Sequence, residues 1–356
     1  MQQTKHIVLG QMSGTSLDGQ DLVLVELECV EGCWNFSLLA THTFAYDPAF
    51  VDQLKQAHQL SLSDLESLNL EYGLLTQQHV SMFLKKHSEI HPELLCFHGH
   101  TVKHLPQQGI THQLGTWQQW ANHFAIEVVG EFRKPDVALG GQGAPLVPGG
   151  DIHLFSKYDY TLNLGGFANI TDITHKQPMA YDICAVNTVL NRCVEPLGML
   201  FDKGGQLAAS GELITDLYDR LNTLEYYQKK APKSLGIEWV EEVLIPVIDE
   251  FSGEKIENIL HTYIRHIAYQ IARCLPPNKH VLISGGGAYN HFLMEQIRAQ
   301  TQASIELGSL ELTEFKEALI FAFLGVLRKQ EQVNCWASVT GADKNHSTGI
   351  VFFPEG

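Results

Sequence analysis

The chain has 356 residues, of which 44% are hydrophobic and 18% charged, and a formal net charge of −16. That length and composition exclude a disordered or fibrous chain and fit a folded enzyme of about two domains. The acidic balance argues against nucleic acid or an anionic membrane as a partner, because both need a basic surface. No apolar run of about eighteen residues occurs, and the N-terminal MQQTKHIVLG lacks a signal-peptide layout, so the expected location is the cytoplasm. The seven cysteines are odd in number and scattered. They point to neither a disulfide framework nor a four-ligand zinc site, and Cys29 and Cys33 are expected as reduced thiols beside a hairpin turn.

The first predicted elements are a strand at His6 to Gln11, a glycine-bearing turn, and strands at Leu22 to Cys29 and Trp34 to Phe44, all with apolar, β-branched patterning. Helical patterns follow at Pro48 to His58 and Leu62 to Lys86, with Ser61 or Ser63 available as a cap for the second. Next come a short strand LLCF, the histidine-rich HGHTVKH, a helix near Trp117 to Phe124 and the strand IEVVG. The glycine and proline stretch Leu139 to Gly150 reads as an inter-domain connection lining a cleft. Beyond it the opening pattern recurs as YTLNL, a glycine turn, ITDIT and a strand near Met179 to Ile183. Helices then dominate, including Ile256 to Cys274, before the strand HVLIS, the turn GGGAYN and a helix from His291. Two halves that each open with strand, glycine turn, strand predict a duplicated α/β fold with two lobes and a central cleft.

The turn MSGTSLDG carries anion-binding chemistry. Glycines allow a sharp reversal, backbone N–H groups face outward, and the hydroxyls of Ser13, Thr15 and Ser16 suit phosphate oxygens. Asp18 in the same turn is the candidate magnesium ligand. An ordinary β-turn is the alternative. No GxxxxGK[ST] sequence and no protein-kinase HRD or DFG set occurs.

The segment GQMSGTSLDGQD resembles the signature of the anhydro-N-acetylmuramic acid kinase family, a branch of the superfamily of sugar kinases, actin and heat-shock chaperones. The likeness continues in order through HGHTVKH, EFRKPDVALGGQGAPLVP, NLGGFANIT, FDKGGQLAASG, PKS, SGGGAYN and VTGA. It implies an actin-like ATPase fold built from duplicated ribonuclease H-like lobes, here drawn as residues 1–135 with 332–356 against 136–331. It also implies a homodimeric enzyme that uses ATP and magnesium to convert 1,6-anhydro-N-acetylmuramic acid to N-acetylmuramic acid 6-phosphate, with water opening the anhydro ring, in peptidoglycan recycling.

The nucleotide-binding residues implied are Gly14, Thr15, Ser16, Leu17, Asp18, Gly19, Gln20 and Asp21, then Gly165, Gly166 and Asn169, and the adenosine-side Gly285, Gly286 and Gly287. Asp182, matching the aspartate of the family's DxGPGN, is the expected general base; read by position alone, before a predicted helix, it is equally a helix N-cap. Thr101, Arg133 and Glu317 match sugar-pocket positions, with Arg133 suited to the lactyl carboxylate. A surface arginine and a first-turn helix glutamate are the bland alternatives. The HxHxxxH set, His98, His100 and His104, is read as lining the cleft or satisfying hydrogen bonds near Asp182 rather than holding a metal.

The chain departs from the family pattern at Ile183 to Val186, where two glycines and a proline are lost. It departs again at His100, which replaces a glutamine, and at Thr116-Trp117, which replaces Asn-Pro. These changes fall on the sugar side and keep other readings in play. They are a kinase of a related amino or anhydro sugar, a non-catalytic nucleotide-binding relative, and a metal-dependent hydrolase.

Overall fold

The computed structural model describes residues 4–14, 17–175, 177–231 and 233–355. Thr15 and Ser16 of the expected phosphate turn lie outside the described residues. The chain forms two compact units, residues 1–155 with 315–356 and residues 156–314.

The first unit opens with an antiparallel meander of β1 (Thr4–Ser13), β2 (Gly19–Val30) and β3 (Cys33–Ala45). β4 (Leu94–Leu105) then pairs parallel to β1, β5 (Ile110–Leu114) folds back on β4, and β6 (Val128–Gly130) pairs parallel to β4. In the second unit β7 (Tyr160–Leu164), β8 (Phe167–Asp172) and β9 (Met179–Ala185) repeat the antiparallel meander. β10 (His280–Ser284) and β11 (Ser304–Leu307) repeat the parallel additions. The last strand, β12 (Ile350–Phe352), returns to the first sheet antiparallel to β6.

Both sheets therefore share one path: third strand, second, first, then two parallel strands on the far side. That is the duplicated ribonuclease H-like α/β arrangement expected from the two strand, glycine turn, strand openings. The parallel additions need crossover helices, and helices supply them. Leu62–Lys86 is capped by Ser61, whose Oγ accepts the Asp64 N–H at 3.3 Å, and packs Leu68, Tyr72, Val80 and Phe83 into the core. In the second unit Ile256–Cys274 buries Ile259, Tyr263, Ile267 and Ile271, a helical spacing that sets one apolar face on the core.

The units divide at 155/156 and 314/315, away from the 135/136 and 331/332 drawn from the sequence. The helix Leu310–Lys329 explains the later boundary, since its residues Phe315 to Leu327 are almost continuously buried. A Cβ on Gly10 of β1 would lie 2.1 Å from the Ala318 carbonyl oxygen, and one on Gly325 would lie 2.0 Å from Cys96 Sγ of β4. Leu139 to Gly150 is likewise part of the first unit and not a connection between units: a Cβ on Gly149 would meet the Asn334 carbonyl oxygen at 2.3 Å.

HGHTVKH, expected after a strand, lies within one. β4 runs on to Leu105 because β5 pairs with its second half, and Gly99, at φ 75°, takes the bend.

Candidate active site

The first unit sets the turn after β1 on a buried polar frame. Gln11 Nε2 donates to the Tyr72 hydroxyl and its Oε1 accepts the Gly99 N–H, both at 3.1 Å. Ser13 Oγ lies 2.7 Å from the Tyr46 hydroxyl and 3.0 Å from His100 Nδ1. The Ser13 hydroxyl, expected to meet phosphate, is thus 2% exposed and committed to the frame. Gln20 is also fully buried, donating to Thr76 Oγ1 at 2.9 Å and lying 3.0 Å from His79 Nδ1. Gly19 starts β2, and a Cβ there would be 2.5 Å from the Phe44 carbonyl oxygen, so strand pairing already demands glycine. Asp21 accepts a hydrogen bond from Thr43 Oγ1 at 2.6 Å. The turn itself presents Gly14, Leu17 at φ 58° and the exposed carboxylate of Asp18.

The three histidines of β4 take separate partners. His98 Nδ1 faces the Gly99 carbonyl at 3.0 Å, so that nitrogen carries the proton and Nε2 accepts from Arg133 Nε at 3.0 Å. Burial, reinforced by Arg133, holds the His98 imidazole neutral well below its usual range. His100 answers Ser13, and burial lowers it to about 4. His104 answers Thr111 at 3.0 Å.

Two of the three expected sugar residues come together. Burial pushes Arg133 down to about 10, against the pull of Glu317, and burial pushes Glu317 up, against the pull of Arg133 and Lys316. Arg133 is half-buried and tied to His98, not a surface arginine. Glu317 sits in the second turn of its helix, beyond the first-turn dipole position. Thr101 on β4 accepts from Gln113 Nε2 at 3.4 Å.

Trp117 fills a cradle that the sequence did not reveal. A Cβ on Gly99, Gly115 or Gly130 would lie 2.7, 2.3 or 2.5 Å from its ring, and its Nε1 donates to Glu131 at 2.8 Å. The departure at Thr116-Trp117 thus places a packed indole at this position.

In the second unit Asp182 lies mid-strand on β9 with Val186 at the helix N-cap position, which removes the cap reading. Its Oδ1 accepts from Asn169 Nδ2 on the neighbouring β8, and its Oδ2 accepts the Leu235 N–H at 2.8 Å. Its own N–H donates to the Lys233 carbonyl at 3.0 Å and its carbonyl accepts from the Tyr226 hydroxyl at 2.6 Å. Lys233 and Leu235 are therefore the clamp on the aspartate, a role that no local pattern around them announces. Burial raises the Asp182 carboxyl above its usual range, and the Leu235 N–H and Asn169 oppose that shift. Ile183, Cys184, Ala185 and Val186 are core residues at 2% exposure or less. The lost glycines and proline are accommodated because the strand continues to Ala185 at ordinary φ.

The glycine turns cluster at the C-terminal ends of the parallel strands β7 and β10, where ligands of such sheets bind. Gly165 and Gly166 follow β7 and accept the first N–H groups of the helix Asn187–Val194. Gly285 follows β10 at φ 87°, and a Cβ there would lie 2.4 Å from Asn163 Oδ1 and 2.8 Å from the Leu164 carbonyl carbon. At Gly286 a Cβ would meet nothing nearer than Asn187 Nδ2 at 3.8 Å, so the backbone there stands open to a close ligand. Gly285→Ala is expected to cost about 1–3 kcal/mol of stability through strain, whereas Gly286→Ala is expected to leave the melting temperature unchanged, as thermal denaturation of the pair will show.

The profile of the family described as Anhydro-N-acetylmuramic acid kinase matches residues 6–354. The chain belongs to this family. The anhydro-N-acetylmuramic acid kinase of Actinobacillus pleuropneumoniae serotype 7 is 30% identical over 374 residues, covering 98% of this chain and 99% of its own. That of Pasteurella multocida is 31% identical over 380 residues, covering 99% and 98%. Among solved structures, component A of the (R)-2-hydroxyglutaryl-CoA dehydratase of Acidaminococcus fermentans is similar with a TM-score of 0.48 and 13% identity, covering 92% of this chain and 100% of that one. Membership in this family makes the chain a kinase, a phosphotransferase with an alcohol acceptor that uses ATP. Among the described residues no helix is long and apolar enough to cross a membrane.

Proposed function

We propose that the protein converts 1,6-anhydro-N-acetylmuramic acid, water and ATP to N-acetylmuramic acid 6-phosphate and ADP, as part of peptidoglycan recycling. The observation that carries the reading is Asp182: a carboxylate held from both oxygens and made more basic by burial. In this reading Asp182 takes a proton from the water that attacks C1, the C1–O6 bond breaks, and O6 attacks the γ-phosphorus as ADP leaves. The glycine turns at Gly165–Gly166 and Gly285–Gly287 bring backbone close to the nucleotide, and the turn that carries Gly14 and Leu17 meets phosphate. An exposed carboxylate suits a hard cation, so Asp18 is the residue that would hold magnesium, which would neutralise charge on the transferring phosphate.

Arg133, steadied by His98, meets the lactyl carboxylate, with Glu317 and Thr101 on the sugar hydroxyls. Arg133→Lys keeps the charge but loses the planar fork. It is expected to raise KM for the sugar about 10–100-fold, the scale of one to two lost charge-assisted hydrogen bonds, and to leave KM for ATP unchanged, as steady-state kinetics will show. The reading includes a cytoplasmic homodimer, which light scattering tests.

The buried Ile183–Val186 segment favours one second reading, a related amino or anhydro sugar as acceptor. A panel of anhydro and free amino sugars, assayed with ATP and followed by product mass, separates the two. Gain of phosphate and one water on the anhydro-muramic substrate supports the proposal. Gain of phosphate alone, or turnover only of another sugar, overturns it.

A further inference from the structure

Three side chains that this reaction leaves unused meet in the first unit, beneath the loop that carries Arg133. Asp136, in the short helix Lys134–Ala138, is fully buried. Cys335 and His346 face each other across an isolated antiparallel bridge, each N–H donating to the other's carbonyl at 3.1 and 3.0 Å. Both side chains turn to one oxygen: Cys335 Sγ lies 3.1 Å and His346 Nε2 3.5 Å from Asp136 Oδ1. One ligand atom from each of the three residues falls within 4.8 Å of the others.

The histidine points to what belongs there. His346 Nδ1 lies 3.1 Å from the Lys344 carbonyl, which assigns the ring proton to Nδ1. Nε2 then directs its lone pair inward. The side chain is only 8% exposed, and Nε2 has no hydrogen-bond partner among the described residues. A neutral imidazole lone pair and a carboxylate facing each other in a buried space repel unless a proton or a metal ion sits between them. The other groups on Asp136, the Gly143 N–H at 2.6 Å and the Thr340 hydroxyl at 2.7 Å, are neutral.

We propose that Asp136, Cys335 and His346 bind a structural zinc ion, with a water completing the tetrahedron. One oxygen, one sulfur and one imidazole nitrogen suit a borderline-soft cation. Zinc–ligand bonds of about 2.0–2.3 Å in a tetrahedron hold ligand atoms about 3.5 Å apart, so the observed 3.1 and 3.5 Å need only a small adjustment. Binding replaces the Cys335 S–H bond with a Zn–S bond and releases that proton to solvent. The thiolate and carboxylate then balance the dication, and the buried site carries no net charge. The supporting shell is already in place: His346 Nδ1 on Lys344, and Asp136 held by Gly143 and Thr340. The ion would clip the C-terminal bridge to the loop in which the Gly143 carbonyl lies 3.5 Å from Arg133 Nη1.

The test strips the full-length protein with a chelator and titrates it with Co²⁺, a spectroscopic substitute for zinc, alongside Zn²⁺ in thermal denaturation. One equivalent of Co²⁺ is expected to bind with tetrahedral visible bands and a thiolate-to-cobalt charge-transfer band. Cys335→Ser should lose that band, His346→Ala should weaken binding at least tenfold, and Zn²⁺ should raise the melting temperature of the parent only. Cys335→Ser keeps shape and a donor to Asp136, so it carries the test if His346→Ala does not fold. A cobalt spectrum without the charge-transfer band, equal affinity in parent and Cys335→Ser, or a melting temperature indifferent to zinc would overturn the proposal.

Discussion

Asp182→Asn is expected to lower kcat for sugar phosphorylation by about 10²–10⁴-fold, the usual worth of a positioned general base, while ATP affinity stays at the parent value. The fold tolerates the change. The amide oxygen of the variant can accept the Leu235 N–H, and Asn169, on the paired position of β8, can rotate its own amide to accept from the new NH₂ group. What the amide cannot do is take a proton from water. Calorimetric ATP binding beside stopped-assay turnover reads the two quantities separately. Turnover within a few-fold of the parent would remove Asp182 from the reaction, and a parallel loss of ATP binding would mean that the strand, not the base, had been damaged.

The same carboxyl sets an expected pH profile. Burial raises it above the ordinary aspartate range, so the acid limb of kcat/KM should fall above that range too. The stability sign follows from proton binding: between its unfolded and raised folded pKa the native state holds more proton at Asp182, so stability declines as pH rises through that window. Asp182→Asn should abolish both that slope and the acid limb.

The strands and helices were legible because their patterns are local. Leu62–Lys86 with its Ser61 cap is an example, as is the twice-used opening of strand, glycine turn, strand. The first phosphate motif was legible only in part. GQMSGTSLDGQD reads as one loop, yet Gly10 to Ser13 and Gly19 to Asp21 are strand, and alternation in β2 sends Gln20 inward. Its partners Thr76 and His79 lie more than fifty residues away, on a helix whose facing no local pattern predicts. Asp182 was found by motif, but the Leu235 N–H that holds it comes from a segment with no regular structure. Long-range polar pairs have no periodicity to reveal them. Asp136 with Cys335 and His346, and Lys316 with Asp151, are of this kind.

The Lys316–Asp151 pair supports the other large effect, on stability. From Phe315 to Leu327 the helix Leu310–Lys329 is almost entirely core, and Lys316, at 5% exposure, is the ammonium set among those apolar residues. Its Nζ lies 2.8 Å from Asp151 Oδ1 and 5.1 Å from the centre of the Phe155 ring. Asp151 is 1% exposed. Lys316→Met preserves the length and apolar stem of the side chain but leaves the carboxylate buried without its cation, which costs about 3–5 kcal/mol. Asp151→Asn with Lys316→Met removes both charges and should recover most of that loss, because a neutral buried pair carries no ionic desolvation. Glu317 gives the pair a functional reach: Lys316 helps hold its carboxyl down and Asp151 pushes it up. Lys316→Met should therefore raise Glu317 further and shift the pH dependence of sugar KM upward, and the double variant, which removes both influences, should shift it less. Chemical denaturation of the parent, Lys316→Met, Asp151→Asn and the double variant completes the cycle. A single variant as stable as the parent, or a double variant no better than the single, would mean that the pair does not hold this helix to the helix Pro148–Leu154.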